Sequence, residues 1–391
     1  MKYNQWTTAL AAIGAVSLAS ATRADGKMSA VQTALSNTTI SGDVDTSATW
    51  RPGTDMNPQG GPNMPLGTAN NDGFSLNTID IALDKPEDES PWAAGYHVEL
   101  MLGPDAVTTE GFGADGVRQA YLTLRTPVGN GLEWKVGVWD SIFGYESSSA
   151  PLNPNYTRSY GWTIDSKTLT GILATYKIND LITVQAGVAD SSDIGFGTVG
   201  VNPASFESQK AYLGEFQLTA PDSAGFMKGA TLTMGVIDAA GNHTTQTPGS
   251  TGWYVGAMIP TPVSTLKFGA AFDYIDEHNG GYNGNPSDHS IWTAALYSSY
   301  QATDKLSFNL RAEYLNNTDA GPLSPVNLYG DNIAEEITAT AQYKLWANVL
   351  SRVEFRWDHV EHGNSFGANQ TPITANRAND FMLALNLIFR F

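Results

Sequence analysis

Apolar and polar residues alternate with a period of two along most of the 391-residue chain, which is the pattern of strands that show each face to a different environment. In the last stretch, NDFMLALNLIFRF, one face carries Phe381, Leu383, Leu385, Leu387, Phe389 and Phe391. The other carries Met382, Ala384, Asn386, Ile388 and Arg390. The first such stretch, TTISGDVDTSATWR at 38–51, sets Ile40, Val44, Ala48 and Trp50 against Asp43, Asp45, Ser47, Thr49 and Arg51. Between them the same split predicts strands around 79–83, 96–102, 120–124, 132–138, 172–176, 182–188, 212–218, 230–236, 253–259, 266–274, 292–300, 306–314, 337–343 and 351–357. About sixteen strands result, each of roughly ten residues, the length a tilted strand needs to cross a bilayer.

The connections alternate in length. Short links such as 127–131, 177–180, 262–265, 301–305 and 346–348 are followed by long stretches rich in Gly, Pro, Asn and Ser, near 52–72, 104–116, 141–167, 190–208, 238–252, 276–289, 316–334 and 360–377. Short turns on one rim and long loops on the other are the asymmetry of a transmembrane barrel. Periodicity alone does not say which face points inward. Sixteen strands, however, would enclose a lumen too wide for side chains to fill, and no charge falls on the apolar face of any predicted strand. A charge at the midplane of a lipid-facing wall would cost about 2–4 kcal/mol. The expected fold is therefore all-β: a single transmembrane antiparallel β-barrel of about 16 strands over residues 38–391, with short periplasmic turns and long extracellular loops.

Composition narrows the reading further. No run of eighteen apolar residues exists, so helical membrane spans are excluded. The net charge of -18 argues against nucleic acid as a partner, because a phosphate-binding face needs clustered cations. With no cysteine there is no thiolate site or disulfide to consider. Lys2, the apolar stretch Ala9–Ala19 and the small residues Ala19-Ser20-Ala21 read as a signal peptide over 1–24, followed by a short periplasmic segment at 25–37.

The third long connection holds the candidate chemistry. It combines Tyr145, Tyr156 and Tyr160 with Glu146, Asn153, Asn155 and Arg158. In a wide barrel, a long loop of this kind that folds inward sets the size and charge selectivity of the lumen. The wall facing it is expected to carry Arg118, Arg125, Lys135, Arg311, Arg352 and Arg356 against Glu99, Glu133, Glu313 and Glu354. Opposed arrays of that kind create a transverse field, while the blander alternative is pairing with neighbours across strands. No HExxH, GxSxG or phosphate-loop motif is present, so neither a metal, a cofactor nor an enzymatic reaction is expected.

Three stretches carry a family resemblance: TTISGDVDTSATW near the start, Val117–Glu146, and NPNYTRSYGW at 153–162. They resemble the OmpL-like β-barrel porin-2 family, whose members often have an aromatic residue where Asp43 stands here. The resemblance implies a porin-like barrel in the outer membrane of a Gram-negative-type bacterium and adds no catalytic residues. A terminal strand ending in Phe389 and Phe391 also resembles the signal read by the barrel-assembly machinery. The expected function is passive diffusion of small hydrophilic solutes and ions through a water-filled lumen narrowed by the third loop. Two rivals are a sugar-selective channel with Trp139, Tyr121 and the loop tyrosines as stacking platforms, and a plugged barrel serving a structural or adhesive role. The expected surroundings are outer-membrane lipid, and a homotrimer is an analogy with porins of this strand number.

Overall fold

A computed structural model of the protein describes residues 37–52, 72–108, 116–190, 210–240, 249–278, 289–317, 333–362, 366–368 and 375–391. The expected signal peptide and most of the segment 25–37 lie outside these residues, as do parts of the long connections.

Fifteen strands follow one another: β1 Thr39–Trp50, β2 Gly73–Lys85, β3 Ala93–Leu102, β4 Val117–Thr126, β5 Leu132–Asp140, β6 Thr168–Lys177, β7 Ile182–Ala189, β8 Ala211–Thr219, β9 Thr231–Ala239, β10 Gly249–Pro260, β11 Leu266–His278, β12 His289–Gln301, β13 Leu306–Asn317, β14 Ile333–Trp346 and β15 Val349–Val360. A small hairpin, β16 Phe366–Ala368 with β17 Ala375–Arg377, then precedes the last strand, β18 Asn379–Arg390. Each barrel strand pairs antiparallel with its neighbours in sequence, except that β18 joins β15 to β1 and closes the ring. The ring has the sixteen strands that the alternation predicts. The extra hairpin sits where a plain loop was expected, and its Phe366 is buried in the barrel's apolar cluster.

The ambiguity of inside and outside is resolved by neighbouring residues. On β13, Leu310 is 53% exposed while Arg311 is 0% exposed. Polar residues therefore face the lumen and apolar ones form the outer wall, as β18 repeats with Leu385 exposed and Asn386 buried. An outer wall of exposed Leu, Phe and Trp is stable only against hydrocarbon, because in water it would be one large apolar patch.

Five of the links on the short-turn rim fall where the sequence places them. In 127–131, Gly129 and Gly131 adopt φ of 59° and 99°, values that only glycine reaches without strain. Two links that the reading did not isolate are longer. One is 86–92, which contains Pro86 and Pro91; the other is 220–230, which winds into a 3₁₀ turn at Asp222–Met227.

Closure depends on one small residue. Phe391 N–H donates to Gly42 O at 3.0 Å, Gly42 N–H donates back to Phe391 O at 3.1 Å, and the Phe391 ring lies directly over Gly42. A side chain at 42 would meet both that ring and the Asp80 carbonyl. Gly42→Val should accordingly lower the folded fraction sharply, read as heat-modifiable migration in gels. Val44→Ile, on the same outward face, should leave it intact; equal folding of the two variants would show that the contact has no role in closure.

Candidate functional site: the loop across the lumen

Residues 141–167 leave the wall at β5 and return at β6, and the neck is pinned by Ser141 N–H donating to Lys167 O at 2.9 Å. Local sequence gives the loop its shape. Pro151 starts a 3₁₀ turn at Ala150–Leu152, consistent with proline's fixed φ in a first turn. Ser159 then caps α2, Tyr160–Ile164, accepting from Trp162 N–H at 2.9 Å, the usual role of a serine at a helix start. (α1 is the short helix Pro104–Thr108 in the preceding long connection.) Lys167 closes the C-terminal end of α2, donating from Nζ to Asp165 O at 2.7 Å and lying over the Trp162 ring at 4.1 Å.

From its neck the loop reaches strands half the ring away. Glu354 on β15 accepts from Tyr156 N–H at 2.6 Å and Thr157 N–H at 2.8 Å. Glu313 on β13 accepts from Tyr160 N–H and, at 2.7 Å, from Gly161 N–H. Arg311 is saturated: its guanidinium donates to Glu336, to Glu146 at 2.7 Å, to Thr157 O at 2.8 Å and to Arg158 O at 3.0 Å. Arg356 donates to Arg158 O at 2.6 Å and to Asp358, while Arg352 donates to Ala150 O and Asn153 O. Asn155 donates to Thr340 Oγ1 at 2.7 Å, and the Tyr156 hydroxyl reaches Ser47 on β1 at 2.8 Å. Bonds to ionised partners of this kind are the strong ones.

The other side of the loop is apolar. Phe143 stacks on Tyr254 at 5.7 Å between centroids, and Tyr145 stacks on Tyr297 at 4.0 Å. Gly235 and Gly269 leave space on the wall for the Phe143 ring and the Tyr145 hydroxyl. With Ile164, Leu169, Leu213, Ile237 and Ile275 these side chains form one buried cluster inside the barrel. The loop is thus bound by a hydrophobic contact along one sector of the wall and by charged hydrogen bonds along another.

Asp165 adds a titratable contact. Burial, reinforced by the adjacent Asp273, pushes its carboxyl well above the ordinary carboxylate range. The folded state therefore favours the neutral acid. The stability it contributes is complete below the ordinary value of 3.8 and is lost as pH rises from there through the raised one. Melting temperature should fall as pH rises toward alkaline, and Asp165→Asn should flatten that fall. An identical pH dependence in the two proteins would contradict this.

The structure brings together all seven loop residues singled out in the sequence. Tyr145 stacks on β12 and Glu146 binds Arg311 on β13, Asn153, Asn155, Tyr156 and Tyr160 also touch the wall away from the neck, and Arg158 braces the loop by donating to Ser148 O at 2.9 Å. The lumen charges also face inward, and of the two readings weighed for them, opposed arrays or local pairing, the contacts are those of local pairing and loop docking. Arg311, Glu313, Arg352, Glu354 and Arg356 lie under the loop and hold it. Arg118 binds Glu99 and Asp140, and Arg125 binds Glu133 at 2.6 Å; these are pairs within or between adjacent strands. Lys135 lies over the Tyr121 ring at 4.9 Å. Trp139 is 0% exposed in the apolar cluster, so it offers no face for stacking on a solute. Glu336, a central partner of Arg311, was missed because the predicted strand began at 337 and left this residue among the loop acids.

The fold is similar to several solved structures. The anion-selective porin from Comamonas acidovorans superposes with a TM-score of 0.57 at 13% identity, covering 90% of this chain and 99% of that one. The outer membrane channel DcaP of Acinetobacter baumannii gives 0.59 at 12% identity, with 90% and 97% covered. OmpT of Vibrio cholerae in its trimer form gives 0.54 at 13%, with 90% and 99% covered. No curated protein matches the sequence. Residues 37–391 match the family described as "Putative beta-barrel porin-2, OmpL-like", and with a closed sixteen-stranded barrel the chain belongs to that family of outer-membrane porins.

Proposed function

We propose that the protein is a general diffusion porin, passing small hydrophilic solutes and ions through a lumen that the 141–167 loop narrows. The observation that carries this reading is the docking of the loop by Glu313, Arg311 and Glu354 on the wall opposite its root. A loop held at both ends of its span reduces the cross-section permanently rather than as a transient lid. Among the described buried residues, carboxylates outnumber cationic side chains by about two to one, which favours cations over anions in transit. The buried position of Trp139 counts against a sugar slide. Residues 1–24 are proposed to direct export, and the terminal strand with Phe389 and Phe391 to engage the assembly machinery. A homotrimer is proposed by analogy with the trimeric OmpT. Swelling of liposomes containing the folded protein tests the reading. Rates should fall with solute size irrespective of sugar identity; no swelling, or preference for one sugar chemistry, would overturn it.

A further inference from the structure

The loop across the lumen carries four charged side chains, Glu146, Arg158, Asp165 and Lys167, and all four are buried. Each is engaged inside the docked structure. Glu146 accepts from Arg311 at 2.7 Å and from Ser159 N–H at 2.8 Å. Arg158 donates to Tyr156 O at 3.2 Å and to Ser148 O at 2.9 Å. Lys167 donates to the carbonyls of Trp162 and Asp165, and burial beside Asp273 favours the neutral acid at Asp165.

The stretch 147–154 is different in kind. Ser147, Ser148, Ser149, Pro151, Leu152 and Pro154 are half-buried, while Ala150 and Asn153 are buried beneath them. Asn153 staples the turn: its amide donates to Ser147 O at 2.6 Å and to Ser149 O at 3.2 Å, and accepts from Ser147 N–H at 2.8 Å. Arg352 on β15 holds the carbonyls of Ala150 and Asn153, and Asn309 on β13 that of Pro154 at 3.0 Å. Proline at 151 and 154 fixes two further backbone angles. The Ser147 hydroxyl accepts from Ser149 N–H at 3.2 Å. The hydroxyls of Ser148 and Ser149 have no hydrogen-bond partner among the described residues, and neither is shut away from solvent. Because the loop is docked on inward-facing side chains of β1, β13 and β15, the water they meet is that of the lumen.

We infer that Ser148 and Ser149 are the specificity-determining residues of the constriction, an uncharged hydroxyl edge that discriminates solutes by size and hydrogen bonding while charge preference comes from the barrel wall. A serine hydroxyl both donates and accepts, so on a rigid turn it replaces a water of hydration for a solute of either sign. The loop's own charges do not act on the solute in this way, because each is turned into the docked structure. The inference rests on the porin reading and deepens it.

The chain has no cysteine, so Ser148→Cys in the full folded protein puts a single thiol at the edge, and the native protein is the unreactive control. The variant in a planar bilayer is treated with a cationic (trimethylammonioethyl) or an anionic (sulfonatoethyl) methanethiosulfonate, and modification is confirmed by mass. Either reagent should lower the single-channel conductance through its bulk. The cationic group should shift the reversal potential toward anions, and the anionic group toward cations. Ser149→Cys should behave alike, and carries the test if Ser148→Cys does not fold. A thiol that labels fully with conductance and reversal potential unchanged, or one that stays unreactive in a conducting barrel, overturns the edge and leaves the porin reading standing. Silence of the native protein and of the variants alike, in folded barrels whose thiols label, overturns the porin reading and the role of the edge with it.

Discussion

The double variant Glu313→Ala, Glu354→Ala should give larger and noisier single-channel conductance than the native protein. These two carboxylates accept four backbone N–H groups of the loop, those of Tyr156, Thr157, Tyr160 and Gly161. A hydrogen bond of this kind contributes about 0.5–1.5 kcal/mol, and more where the acceptor is charged, so losing all four lowers the docked population of the loop by orders of magnitude. The apolar anchors Phe143 and Tyr145 and the arginine contacts to Asn153 O, Thr157 O and Arg158 O would remain, so the loop stays in the lumen but fluctuates about its weakened docking at Tyr156–Gly161. Conductance and noise equal to the native values in a folded variant would mean that the docked loop does not limit flow.

Arg311→Ala should be the most destabilising single change in the barrel, at about 3–5 kcal/mol, because it strands buried carboxylates. Glu146 and Glu336 would lose their shared cation, and the carbonyls of Thr157 and Arg158 their donor. Arg311→Lys should be intermediate, since an ammonium keeps the charge but lacks the planar fork that spans these acceptors. Arg125→Ala serves as the control: its partners Glu87 and Glu133 lie near the short-turn rim, and Arg125 and Glu133 keep some contact with solvent, whereas Arg311 and its partners are fully buried. Thermal unfolding in detergent ranks the three. Equal melting temperatures for Arg311→Ala and Arg125→Ala would show that the network under the loop carries no special weight.

The barrel was legible in the sequence because every signal for it is local. The two-residue period marks each strand, glycine and proline mark the turns, and the outward row Phe381 to Phe391 marks the strand that closes the ring. The facing of Arg311, Glu354 and the other lumen charges followed from the same period. Their partners did not. Tyr156 meets Glu354 and Tyr160 meets Asp358 across 198 residues of chain, and no periodicity encodes a contact between a loop and the far side of a ring. The period placed Arg352 and Arg356 on the lumen face, as array charges or as partners of neighbouring strands; neither alternative contained the loop carbonyls that they hold. The bulge between Asp45 and Thr46, which shifts the pairing of β1 with β2, has no signature in the alternation.

The measurement that bears most directly on the central claim is single-channel conductance of the refolded mature chain in a planar bilayer, with the reversal potential taken under a salt gradient. Discrete steps of stable size with a reversal potential biased toward cations are expected from a loop-narrowed lumen rich in carboxylates. Silence from a demonstrably folded barrel would contradict the pore and favour a plugged surface protein.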